Sequence, residues 1–236
     1  MSDIKEILAI IPTRGGSTGL PKKNIRMIAG KPLLSYMLET AKKSQLLTKI
    51  IFTTDNDDIA EAAMKIDGIT VQRHDPKLSF SGQPTFGVVQ YTLNKYIEEA
   101  STPFAVLLLR VTTPLCESYD IDNAINLLSA KRGKATSVLG VVESDIHPKR
   151  TYEIQKDGYL IPHEETPETK FPLPRQVFNK VYIRNGAIYA TFPEIVLKGS
   201  MWGEKPIPYI MPKERSININ DEFDFMLAEK LLKKKC

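Results

Sequence analysis

The chain has 236 residues, 42% hydrophobic and 25% charged, with 13 glycines and 16 prolines, a composition that suits one large globular domain burying its own core. Its two cysteines, Cys116 and Cys236, exclude a disulfide framework, and three histidines beside so few thiols exclude a zinc cluster. No apolar run approaches the ~18 residues of a membrane span, and 32 basic against 28 acidic residues leave only +4, so neither a membrane nor a nucleic-acid partner is expected. The opening Met1-Ser2-Asp3-Ile4-Lys5-Glu6 lacks the basic-then-apolar order of a secretory leader, which makes a reducing cytoplasm the expected setting.

In chain order, Ile7 to Pro12 reads as a buried strand closed by a loop rich in Gly and Pro. Leu34, Met37, Leu38 and Ala41 form a helical stripe within Leu33 to Lys43. Lys49 to Thr53 is a strand and Asp57 to Lys65 a helix, with Asn56 or Asp57 as its cap. Ile69 to Gln72 is a short strand, Phe86 to Glu99 a helix, Phe104 to Leu109 a central strand, Ser118 to Lys131 a helix and Ala135 to Val142 a strand. Such repetition predicts an α/β fold with a doubly wound, mainly parallel sheet and right-handed crossovers.

The rhythm breaks between Glu143 and Ile183, a stretch with many charges and the prolines Pro148, Pro162, Pro167, Pro172 and Pro174. A loop that long within a compact domain is usually functional or an interaction arm. Strands resume at Gly186 to Thr191 and Ile207 to Met211, and Glu222 to Lys235 is a closing helix. The expected organisation is one domain over residues 1–236 carrying an excursion at 143–183.

Ligands of open parallel sheets bind beyond the carboxyl ends of the strands. Directly after the first strand comes Arg14-Gly15-Gly16-Ser17-Thr18-Gly19-Leu20-Pro21-Lys22-Lys23-Asn24. Its glycines let backbone amides approach an anion, and Arg14 and Lys23 add fixed positive charge suited to a triphosphate. The spacing is neither that of a P-loop nor that of a dinucleotide fingerprint. The same residues also suit a plain basic turn between strand and helix.

The stretch Ile10 to Ile25 resembles the opening signature of the acylneuraminate (sialic acid) cytidylyltransferase family, which includes the CMP-sialic, CMP-legionaminic and CMP-pseudaminic acid synthetases. Five further segments agree in order: Gly30 to Leu33, Phe52 to Asp55, Thr112 to Leu115, Asn185 to Tyr189 and Ser216 to Asn220. The resemblance runs from about Ile7 to Leu232. It implies a Rossmann-like nucleotidyltransferase that moves CMP from CTP to an acidic nine-carbon sugar, releasing pyrophosphate with Mg²⁺ assistance, in surface glycan synthesis. By the same resemblance Arg14 and Lys23 hold the phosphates. Gly15, Gly16, Ser17, Thr18 and Gly19 line the nucleotide with Asn24 and Thr85. Arg150, Arg175, Asn185 and Thr112 fall on the sugar side, and the excursion is the arm of a homodimer.

The sequence departs from that family pattern where the chemistry is most demanding. Thr18 replaces a lysine of the phosphate loop. Arg110 replaces a glutamine and Cys116 an arginine around Thr112-Thr113-Pro114-Leu115. Phe80 to Thr85 lacks the usual Asp followed by small hydroxyl residues, and Ile183 stands where an arginine is usual, with Arg184 following. Asn218-Ile219-Asn220 stands where the family holds Mg²⁺ with Asp-Ile-Asp, and an amide brings no charge to a hard cation. These exchanges leave the site about one unit more positive. Two readings follow. Either Arg110 takes over part of the metal's role, with Asn218, Asn220 and Asp221 as the remaining metal candidates, or the chain binds a nucleotide or partner without turnover. A cytidylyltransferase with another acceptor is a third.

Other residues read more plainly. Cys116 has no histidine motif beside it and suits a small core side chain. His147 before Pro148 suits a turn or a substrate contact, Asp55 a nucleotide contact or a helix cap, Asp224 a helix N-terminal charge, and Trp202 a packing anchor. His74 and His163 carry no readable role.

Overall fold

A computed structural model describes residues 5–16, 19–79, 85–165 and 173–235. The first strand, β1 (Ile7–Thr13), shows how the sequence builds the layers. Its alternate residues Ile7, Ala9 and Ile11 pack to one side and Leu8 and Ile10 to the other, all buried. A strand with two buried faces must lie inside a sheet covered on both sides.

Residues 19–32 then form a 3₁₀ turn at Lys23–Ile25 and a two-residue hairpin, β2 (Met27–Ile28) and β3 (Lys31–Pro32). Helix α1 (Leu33–Lys42) lays Leu34, Met37, Leu38 and Ala41 on the Ala9 face. Strand β4 (Lys49–Thr54) and helix α2 (Asp57–Met64) follow, the Asn56 side chain accepting the Ile59 amide as the N-cap. Then come β5 (Thr70–Arg73), α3 (Phe86–Glu99), β6 (Ala105–Leu109), α4 (Ser118–Ala130) and β7 (Ser137–Glu143). The hairpin β8 (Tyr152–Ile154) and β9 (Leu160–Pro162) precedes β10 (Tyr182–Thr191), α5 (Pro193–Leu197), β11 (Pro206–Ile210) and α6 (Glu222–Lys233).

The main sheet runs β11-β7-β10-β6-β1-β4-β5. Every neighbouring pair is parallel except the two made by β10, which runs antiparallel between β6 and β7. Helices α1, α2 and α4 cover one face and α3 and α5 the other, so the doubly wound, mainly parallel expectation holds. Fully buried side chains such as Phe52, Leu8 and Leu107 each contribute about 1.5–3 kcal/mol of transfer free energy.

One boundary moves. Strand β10 begins at Tyr182, four residues before the expected Gly186, because Tyr182, Ile183 and Arg184 pair with Glu143, Val142 and Val141. These residues are exposed, so no apolar run announces them. The stretch between β7 and β10 holds the separate β8–β9 sheet, whose Tyr152 to Ile154 are all exposed.

A third cluster positions the site. Phe225, Ala228 and Leu232 of α6 pack on Leu20, Ile28, Leu33, Leu115 and Ile219. Arg26 donates to both Glu222 carboxylate oxygens at 2.7 Å. The C-terminal helix thereby clamps the glycine-rich segment against the chain that precedes it.

Candidate active site

Parallel strands place their carboxyl ends at one rim. Register pairs Thr13 with Thr54 and Thr54 with Arg73, so the segments after β1, β4 and β5 emerge side by side. The segments after β1 and β5, with the start of α3, the turn after β6 and the Asn218–Asn220 segment, enclose a cleft of about 470 Å³. Its lining includes Arg14, Gly19, Lys23, Asn24, Thr85, Arg110, Thr112, Asn218 and Asn220. Nine sequence candidates from four separate segments therefore meet in one place.

The loop after β1 is braced from several directions. Asp55, just beyond β4, accepts the Gly15 amide at 2.7 Å with one oxygen and the Ser79 hydroxyl at 2.7 Å with the other. Its backbone carbonyl accepts from Arg73 at 2.9 Å. Asn24, 6% exposed, donates its side-chain amide to the Arg14 carbonyl at 3.0 Å. A Cβ on Gly15 would come within 2.9 Å of the Asn56 Cβ, and one on Gly19 within 2.6 Å of the Asn220 carbonyl oxygen. Both glycines are needed for close approach. Gly16 is exposed next to them, and Ser17 and Thr18 lie outside the described residues.

Lys23 Nζ donates to the Ile219 carbonyl at 2.7 Å, tying the loop to the segment before α6. Burial lowers its pKa, and the nearby Arg14 and Arg110 charges lower it further against the opposing pull of Asp224. Arg110 rests over the Tyr189 ring at 5.7 Å from its centroid. The Thr112 carbonyl accepts the Ile219 amide at 2.8 Å. Among the described residues three cations thus share the cleft, and no carboxylate is in its lining. Cations gathered in one cleft raise the local positive potential and favour an anion there.

Mg²⁺ fits this donor set poorly. Asn218 and Asn220 reach the cleft, but Asn220 Nδ2 donates to the Asn218 carbonyl at 3.0 Å. The Asp221 side chain is the N-cap of α6, accepting the Asp224 amide at 2.9 Å, and Asp224 in turn accepts the Asn220 amide at 2.9 Å. Among the described residues no cluster of three His, Cys, Asp or Glu side chains could hold a metal. A hard dication favours carboxylates and phosphates, and this cleft offers amides.

Other candidates stand apart from the cleft lining. Asn185 is 3% exposed and enclosed, its Nδ2 meeting Met211 Sδ at 3.0 Å and Ser216 Oγ at 3.1 Å while its Oδ1 accepts the Ala187 amide at 3.1 Å. Arg150 lines a second cavity of about 510 Å³ with Glu143, His147, Phe178 and Lys180. Its guanidinium donates to the Leu173 carbonyl and lies over the Phe178 ring. Arg175 opens a 3₁₀ turn, and its side chain lies outside the described residues, as do Phe80 to Pro84 and Cys236.

His147 caps its own turn by accepting the Lys149 amide at 3.2 Å and stacks on Phe178. Cys116 is buried in the core, and burial with nearby Asp120 and Glu117 pushes its thiol far up. Trp202, 40% exposed, lies between the Tyr189 ring and the Arg184 guanidinium. Thr13 at the end of β1 also lines the cleft, as do His74 and Ser79, whose residue types carry no signal of it. Only strand register brings them there.

Comparison with known proteins identifies the family. A cytidylyltransferase family model matches residues 8–189. The chain is 30% identical over 228 residues to the CMP-N,N'-diacetyllegionaminic acid synthase of Legionella pneumophila, covering 96% of both. It is 31% identical over 231 residues to the N-acylneuraminate cytidylyltransferase of Escherichia coli O18:K1:H7, covering 98% of this chain and 53% of that one. The chain thus spans about half the length of that relative. In fold it resembles a CMP:2-keto-3-deoxy-manno-octonic acid synthetase solved with CTP, with a TM-score of 0.71 and 13% identity over 98% of this chain and 100% of the other. Among the described residues no helix is long and apolar enough to cross a membrane. With its first strand, its glycine-rich loop and most of β10 inside the matched region, this chain belongs to the cytidylyltransferase family.

Proposed function

We propose that the protein transfers CMP from CTP to an acidic nine-carbon sugar of the N-acylneuraminate type and releases pyrophosphate. The observation that carries the reading is the convergence of Arg14, Lys23 and Arg110 on a cleft with no carboxylate in its lining. A triphosphate brings the charge these cations lack. Arg14, Lys23 and the backbone amides that follow Gly15 in the loop hold its phosphate oxygens, with Asn24 keeping the loop in shape. The acceptor hydroxyl oxygen bonds to the α-phosphorus in line, its proton passes to solvent water, and the bond from the α-phosphorus to the bridging oxygen breaks, that oxygen leaving with pyrophosphate. Negative charge then grows on the departing pyrophosphate, where Lys23 and Arg110 neutralise it. Catalysis of this kind is positioning and charge compensation. Any divalent cation rides on the nucleotide's own phosphates rather than on protein carboxylates.

Acceptor recognition is assigned to Thr112 at the cleft and to Arg150 and Arg175 of the excursion, with Asn185 setting the backbone between β10 and the segment before α6. Arg150 faces a separate cavity, so it serves an acceptor in a homodimer, where one chain's arm reaches its partner's cleft. Exposed apolar side chains on that arm, including Ile154 (77%), Tyr159 (71%) and Leu160 (62%), support a second copy of this chain as their cover. The cytoplasm is the setting that supplies CTP.

Pyrophosphate release from CTP across a panel of nonulosonic acids, with and without Mg²⁺ or Mn²⁺, tests the reading. Release with one acid confirms transfer and names the acceptor. Tight CTP binding without release from any of them identifies a nucleotide-binding relative instead, the outcome that the replaced metal carboxylates favour.

A further inference from the structure

Two buried hydrogen-bonding atoms in the cleft lack partners among the described residues: Thr13 Oγ1 and His74 Nε2. Both residues line the cleft, at 4% and 5% exposure. Buried polar groups in folded proteins are nearly always paired, so a vacancy facing a ligand cleft points to the ligand. The His74 ring cannot swing away, because its Nδ1 is held 2.8 Å from Thr53 Oγ1 on β4.

The cleft is also divided electrically. The charges acting on Lys23 are Arg14, Asp224 and Arg110, whereas those acting on His74 are Asp55, Arg73 and Asp75. Burial keeps His74 below the ordinary histidine pKa, so a neutral imidazole faces the cleft at pH 7. The same cleft is also lined by Leu78, Ser79, Thr85 and Val88, apolar side chains interleaved with hydroxyls. Such surroundings suit a flat, uncharged heteroaromatic ring and not a phosphate.

We infer that Thr13 Oγ1 and His74 Nε2 read the polar edge of the pyrimidine base while the triphosphate extends toward Lys23. The inference rests on the CTP reading above and names the residues that recognise its uncharged part. A base contact and a phosphate contact separate cleanly, because inorganic tripolyphosphate has the second and not the first.

Calorimetric titration of the full chain with CTP and with tripolyphosphate tests this in wild type, Thr13→Val and His74→Phe. Thr13→Val is the safer variant for folding, since it keeps the shape and removes only an unpaired hydroxyl. Both variants are expected to bind CTP about tenfold more weakly, the loss for a buried hydrogen bond, with tripolyphosphate affinity within twofold of wild type. Unchanged CTP affinity in either variant, or a parallel loss for tripolyphosphate, overturns the inference. A wild-type chain that binds CTP no more tightly than tripolyphosphate overturns it while leaving the phosphate site standing. Binding of neither ligand overturns the nucleotide reading and this inference with it.

Discussion

The Asp55 carboxylate and the Gly15 amide meet at 2.7 Å, joining the end of β4 to the first turn of the glycine-rich loop. The same carboxylate accepts Ser79, so one side chain fixes two edges of the cleft. Helix α2 takes Asn56 as its cap, which leaves Asp55 to the loop. Asp55→Ala removes both bonds and should weaken CTP binding about tenfold or more while the sheet stays folded, as charge-assisted bonds of this kind contribute about 1.5–3 kcal/mol. Titration with CTP beside a thermal melt checks it.

Gly19 sits where a side chain has no room. The Cβ of Gly19→Ala would lie 2.6 Å from the Asn220 carbonyl oxygen, so the loop and the Asn218–Asn220 segment must part. Overpacking of this size costs about 1–3 kcal/mol. The expected result is a lowered Tm together with lost CTP affinity, because Lys23 is tied to the same segment through the Ile219 carbonyl.

Asn218 and Asn220, which reach the cleft, are the positions at which metal dependence is best tested. Without nucleotide, wild-type protein should show no tight Mn²⁺ binding by electron paramagnetic resonance, since the cleft lining holds no carboxylate. Asn220→Asp supplies one and should create detectable Mn²⁺ binding and a sharper Mg²⁺ dependence of turnover. An unchanged metal titration would show that position 220 does not face the cation.

Away from the cleft, Asp120 is fully buried and accepts from Arg215 at 3.0 Å on each oxygen, from Tyr209 at 2.9 Å and from the Glu117 amide at 3.0 Å. Burial foremost, with Asp120 adding to it, pushes the Tyr209 phenol up to about 12. Asp120→Ala strands the Arg215 charge and should cost about 3–5 kcal/mol, a Tm fall on the order of 10 °C for a domain of this size. Differential scanning calorimetry measures it.

His74 also makes stability depend on pH. Its folded-state pKa lies below the ordinary 6.5, burial and Arg73 outweighing Asp55 and Asp75. The unfolded chain therefore binds the extra proton first. The stability is fully present above about pH 6.5 and is lost as pH falls below it. Denaturant midpoints at pH 7.5 and 5.5 should fall less in His74→Phe than in wild type.

What the sequence made legible was local. The unbroken apolar run from Ile7 to Ile11 reads as a strand buried on both faces, whereas the glycines and cations from Arg14 to Asn24 suit either a phosphate loop or a plain basic turn. Thr13, Asp55 and His74 were harder, because their place depends on which strand ends lie side by side, a matter of register between β1, β4 and β5. Asn185 and Arg150 show the converse. Their types suit substrate binding, yet packing around Gly140, Met211 and Ser216 encloses the first, and the second faces the cavity beside Phe178. The antiparallel insertion of β10 was hidden for a further reason, since its first residues are exposed and carry no period of burial.

A crystal of the protein grown with CTP tests the account most directly. It should show the triphosphate within hydrogen-bonding distance of Lys23 Nζ and the Arg14 guanidinium, against the amides after Gly15. A triphosphate seated elsewhere, with Lys23 still bonded to the Ile219 carbonyl and the cleft empty, would contradict it.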